Sequence, residues 1–137
     1  TVGMQGYLGY GQQSNCLGDY LVSNVTDAIK ELSRNGVKVQ LTEMAMRNFV
    51  NTEEYEAAHA EFSKKLFTAL ADINTTTNNA FTSMSIWAFI DNPILNYTDN
   101  TYDYDITTPY SGLFDEVYTP KASFNEVYTA LGGELPE

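Results

Sequence analysis

The hydrophobic period of this chain switches repeatedly between the helical 3.6 and the strand period of 2, and that alternation limits the fold class before any single residue is weighed. Val25, Ala28, Ile29 and Leu32 recur at i, i+3, i+4 and i+7, with Ser23 or Asn24 placed to cap the start, Arg34 in the last turn and Gly36 just past the end. Residues 37–46 then alternate, with Val37, Val39 and Leu41 set against Lys38, Gln40 and Thr42, as in a strand. Asn51 and Glu54 read as a capping box for a second helix. Its apolar face is Tyr55, Ala58, Phe62, Leu66, Ala69, Leu70 and Ile73. "NTTTNN" breaks that helix, and residues 81–90 alternate again, Met84, Ile86, Ala88 and Ile90 against Ser83, Ser85, Trp87 and Phe89. An apolar run at residues 2–8 and a Gly- and Asn-rich loop open the chain. An aromatic, acidic loop at 96–112 precedes a last helix that Pro120 can open and Gly132 and Gly133 can end.

Strand, helix, strand, helix, strand, loop, helix is the order of an α/β protein with parallel strands and covering helices. In such folds the site forms where the strands end, and Gln5, Glu43 and the stretch Trp87 to Asp91 all lie at such ends. Glu43 poses a puzzle, because simple alternation gives it the same face as Val37, Val39 and Leu41. A carboxylate leaving the top of a strand can face a ligand, but strict alternation then sends Gln40 and Thr42 toward the helices. An irregularity near Thr42 is therefore expected.

Charge narrows the partners. Eighteen acidic against seven basic residues among 137 give a formal net charge of −11, which repels nucleic-acid backbones and anionic membrane surfaces and suits a neutral ligand. No apolar run is long enough to span a bilayer. The single Cys16 excludes an intrachain disulfide and reads as an inert loop thiol. The chain opens at Thr1 in strand-like sequence, which reads as the interior of a longer protein.

At "GMQG", "VKVQLTEMAM", "SMSIWAFID" and "GLFDEVYTPKASF" the sequence resembles the C-terminal part of a glycoside hydrolase family 10 xylanase, and the likeness runs over nearly the whole chain. Each motif alone is common; four in order at strand ends are not. The resemblance implies that residues 1–137 are a partial glycoside hydrolase catalytic domain, the last three βα units of a (β/α)8 TIM barrel. It implies a secreted endo-β-1,4-xylanase that hydrolyses xylan or xylooligosaccharides with retention and needs no cofactor or metal. The family's Thr-Glu-Leu-Asp stretch puts the nucleophile on Glu43, its Gly-Met-Gln stretch puts a substrate-binding amide on Gln5, and its Trp-Gly-x-x-Asp stretch puts the wall of the sugar site on Trp87, followed by Asp91. The acid/base carboxyl lies in an N-terminal part of the family's barrel that this chain does not contain, so the chain alone is expected to be inactive.

Two departures stand together. Where the family has His after Gln-x this chain has Tyr7, and where it has Asp two residues past the nucleophile it has Ala45. Losing only one member of a hydrogen-bonded pair strands a buried polar group at about 1–3 kcal/mol, so the joint loss points to a rearranged site in which Tyr7 donates its hydroxyl to Glu43. The family's second Trp is replaced around Ile94 and Leu95, with Tyr97, Tyr102 or Tyr104 as alternative stacking platforms. The same departures support a rival reading, a non-catalytic carbohydrate-binding barrel.

Plainer roles cover the remaining features. His59 reads as a surface or partly packed imidazole, Met44 and Met46 as packing, and Asp99, Asp103 and Asp105 as a solvated loop in preference to a Ca²⁺ site. The Asn-x-Ser/Thr triplets at Asn24, Asn74 and Asn96 are what chance supplies in a chain rich in Asn and Thr.

Overall fold

The computed structural model of the protein describes residues 1–8, 19–48, 50–92 and 109–136. Strands β1 (Val2–Leu8), β2 (Val39–Met46) and β3 (Phe81–Ile86) alternate with helices α1 (Asp19–Arg34), α2 (Glu53–Thr76) and α3 (Ala122–Ala130). The strands form one parallel sheet in the order β1-β2-β3. Element order and parallel pairing are those expected from the alternating periods.

One face of the sheet is covered. Val39, Leu41, Met44 and Met46 of β2 join Ile29 of α1 and Phe62, Leu66 and Leu70 of α2 in a single core, and Met4, Met84 and Ile86 pack against it from the neighbouring strands. Gly6 contributes by lacking a side chain: a Cβ there would come within 2.7 Å of the Met44 side-chain end, which lies across β1 on the helix side. The opposite face carries Gln5, Gln40, Thr42, Ser83 and Ser85, all exposed.

The change of face between Leu41 and Glu43 comes from a bulge. Met4 pairs with Leu41 but Gln5 with Glu43, and on the other side Leu41 pairs with Met84 but Met44 with Ile86, so β2 spends an extra residue at Thr42 against both neighbours. The expected irregularity is therefore present, and it corrects the face assigned by simple alternation. Val39 and Leu41 point into the core, whereas Thr42 and Glu43 both turn to the open face. A Cβ on Gly3 would meet the Thr42 methyl at 2.9 Å on that face.

Other expectations shift by local chemistry. The first helix is already helical at Asp19, so Ser23 and Asn24 lie inside it, while Gly36 takes the left-handed conformation (φ +72°) expected of its position past the end. The N-cap of α2 is Thr52 and not Asn51: its backbone is extended and its hydroxyl accepts the Tyr55 N–H at 3.4 Å. The third strand stops at Ile86 instead of reaching 90, and Ile90 forms only an isolated bridge to Phe114. Pro120 bridges back to Phe114 and stands just before the helix, whose N-cap is Lys121. His59 is fully buried, not at the surface; its Nε2–H donates to the Met46 carbonyl at 2.8 Å. Asn74 clamps the end of α2 to the start of β3, donating to the Phe81 carbonyl and accepting its N–H at 2.8 and 2.9 Å. Cys16, Asn96 and the residues named between 93 and 108 lie outside the described residues.

Candidate active site

Parallel pairing brings the ends of β1 and β2 level, and the bulge then sets Glu43 beside Gln5 in the register. Gln5, Tyr7 and Glu43 meet on the open face. The Gln5 amide donates from Nε2 to Glu43 Oε1 at 3.1 Å, and the Tyr7 hydroxyl donates to Glu43 Oε2. Each carboxylate oxygen thus receives one donor from the neighbouring strand. The hydrogen bond to Glu43 is the main reason the Tyr7 phenol is raised above its ordinary range, with burial and the Glu43 charge adding to it and Arg47 opposing it.

Arg47 joins the site without any motif signal in the sequence. It follows β2 directly, its N–H donates to the Leu8 carbonyl at 2.8 Å, and its guanidinium carbon stands 5.5 Å from the centre of the Tyr7 ring. That is cation–π range.

Trp87 leaves the end of β3 with its backbone N–H bonded at 2.8 Å to the carbonyl of Met44, the residue after Glu43, and the residue is 53% exposed. An indole exposed to water at a strand end is the kind of surface on which a sugar ring can stack.

Asp91 goes elsewhere. It is 8% exposed, and its oxygens lie 3.1 and 2.9 Å from Lys121 Nζ while Oδ1 accepts the Gly112 N–H at 2.8 Å. Lys121 also pairs with Glu56 Oε2 at 3.0 Å and donates to the Tyr110 carbonyl at 2.9 Å. Asn48 joins by donating to Glu56, and its backbone N–H donates to Ser111 Oγ. This network ties the segment after β3 to the start of α2. Burial pushes both the Glu56 and Asp91 carboxyls up, with Lys121 pulling each back down. No sequence signal joins Asp91 to a lysine 30 residues away.

Among the described residues no group of three or more His, Cys, Asp or Glu side chains is arranged to hold a metal ion, and no helix is long and apolar enough to cross a membrane.

The family model described as Glycosyl hydrolase family 10 matches residues 1–130. No curated protein matches the chain. Among solved structures, xylanase 10B from Thermotoga maritima superposes with a TM-score of 0.62 at 22% identity over 93% of this chain and 34% of that one. Xylanase 10B from Thermotoga petrophila RKU-1, solved with xylobiose, gives 0.61 at 21% identity, covering 93% and 33%. Xylanase 10C from Cellvibrio japonicus gives 0.58 at 22% identity, covering 82% and 26%. The chain thus spans about a third of the length of the first two of these proteins and shares their α/β fold over that span.

Proposed function

The chain belongs to glycosyl hydrolase family 10, and from that premise we propose that it forms the nucleophile-bearing C-terminal part of a retaining endo-β-1,4-xylanase, its three βα units completing a (β/α)8 barrel with an N-terminal part of the same domain. The observation that carries this reading is the Glu43 carboxylate, turned by the bulge onto the open sheet face and held there by Gln5 and Tyr7. A barrel interior is the face that covering helices leave free, and this sheet has such a face.

In the proposed reaction a Glu43 oxygen attacks the anomeric carbon as the glycosidic C–O bond breaks, and a carboxylic acid from the N-terminal part protonates the departing sugar oxygen. Water then attacks the glycosyl ester, gives its proton to that second carboxylate and frees Glu43, so two inversions yield net retention. No cofactor enters these steps. Gln5 and Tyr7 fix the nucleophile's orientation, and each remains near enough to exchange its bond for one to a sugar hydroxyl. Trp87 offers its exposed face to a xylose ring, and the buried Asp91–Lys121 pair holds the segment that follows it.

Relatives of the same fold solved with xylobiose and with xylotriose support a xylooligosaccharide as ligand. A net charge of −11 fits a neutral polymer. Since polymeric xylan does not cross a membrane, the proposed enzyme works outside the cell. The alternative, a carbohydrate-binding barrel without catalysis, is favoured by Tyr7 and Ala45 standing where the family has His and Asp.

The test is made on the full-length protein that carries this chain. Xylan should be cleaved with the β-anomer appearing first in proton NMR, and Glu43→Gln should abolish turnover while leaving xylooligosaccharide binding. Binding without turnover in the unaltered protein overturns the enzyme reading in favour of the binder, and an α-anomer first overturns retention.

A further inference from the structure

We infer that Arg47 is a positioning residue for Glu43, acting through the ring of Tyr7: the guanidinium holds the phenol at the angle from which its hydroxyl meets the carboxylate. This rests on the proposed role of Glu43 and extends it.

Three observations carry the inference. The Arg47 guanidinium carbon lies 5.5 Å from the Tyr7 ring centre, and the same phenol donates to Glu43 Oε2. Arg47 is itself buried: it is 7% exposed, and its backbone N–H donates to the carbonyl of Leu8, the residue after Tyr7, extending the β1–β2 pairing one step past the strand. The register supplies the room. Tyr7 pairs with Ala45, and Glu43, Ala45 and Arg47 follow at intervals of two, so a methyl group separates the carboxylate from the cation along the edge that faces Tyr7.

The chemistry is cooperative. A phenol has one rotatable ring and one O–H, so fixing the ring plane fixes where the proton points. A flat guanidinium stacks on that plane, which a lysine ammonium, a compact point charge, does less well. The cation also draws electron density from the phenol, opposing the rise that Glu43 imposes on it, and so makes the O–H a better donor. The charged groups acting on Tyr7 are Glu43 and Arg47, both from the C-terminal end of β2.

A double-mutant cycle in the full-length protein tests this. Tyr7→Phe should lower kcat/KM roughly ten- to hundredfold, the cost of one hydrogen bond to a charged group. Arg47→Met should lower it about three- to thirtyfold, mostly in kcat. The double variant should be no worse than Tyr7→Phe alone, because Arg47 then has no hydroxyl to direct. Arg47→Lys should recover part of the loss, and Arg47→Gln, close in length but uncharged, should not. Losses that simply multiply, or an equal loss in Gln and Lys variants that follows thermal stability, overturn the inference.

A protein with no turnover would sink the enzyme reading and leave this one testable. The phenol of Tyr7, followed by carbon-13 NMR, should titrate at higher pH in Arg47→Gln than in the unaltered protein. An unchanged titration overturns the link between the two side chains.

Discussion

Glu43 is served by two donors of different strength, and they should weigh differently. Tyr7 is half-buried and its phenol is raised by its bond to the carboxylate, whereas the Gln5 amide is exposed to competing water. Replacing Gln5 with Ala should therefore lower kcat/KM less than Tyr7→Phe does, by about threefold to tenfold, in steady-state assays on the full-length protein. Gln5 and Glu43 were legible in the sequence because each stands at a strand end, where parallel pairing brings neighbours together, and Tyr7 because the family resemblance sets it where a histidine usually stands. Arg47 and Lys121 were not, because their roles depend on which way a long side chain folds back over a distant neighbour. The family resemblance counts Asp91 among the substrate-binding residues, whereas the structure buries it against a lysine 30 positions on, a pairing with no sequence signal.

At the scale of elements, caps and buried polar groups decide how firmly the site is mounted. Thr52 accepts the Tyr55 N–H at the start of α2, whose first turn also carries Glu53, Glu54 and Glu56. Thr52→Ala should cost about 1 kcal/mol in urea unfolding without altering binding. Lys121 is the larger stake. Its loss leaves Asp91 and Glu56 facing each other partly buried and unpaired, so Lys121→Met should cost about 3–5 kcal/mol at neutral pH and recover as the pH falls and those carboxyls take up protons. The element boundaries show where periodicity fails as a guide. The bulge at Thr42 reverses the face of every residue beyond it, and a two-residue pattern carries no sign of an inserted residue except a charge in an implausible place.

Over the whole molecule, acid should act through His59. Its Nε2–H is bonded to Met46, its Nδ1 is buried with no partner, and burial is the chief cause that holds it down at about 4 against an ordinary 6.5. Below 6.5 the unfolded chain takes up a proton that the folded one refuses, so stability is full above that pH and declines as pH falls toward 4. The total is about 3 kcal/mol. Glu56 and Asp91, raised by burial, act in the opposite sense, so comparison with His59→Gln over pH 4–7 isolates the imidazole: the variant should show the shallower decline. The sheet raises a second question at this scale. Among the described residues β1 and β3 each have one unpaired edge, and the open face is uncovered. The chain produced alone should self-associate in sedimentation velocity, and co-production with the N-terminal barrel part proposed above should yield a one-to-one complex.

The central proposal is that Glu43 attacks the anomeric carbon of a xylose unit. The most direct measurement is to incubate the full-length protein with a 2-fluoro-xylobioside bearing a good leaving group, digest it, and read the peptides by mass spectrometry. A single fluoroxylobiosyl ester on Glu43, absent in Glu43→Gln, is the expected result. Attachment to a different residue, or tight binding of the sugar with no covalent mass at all, contradicts it.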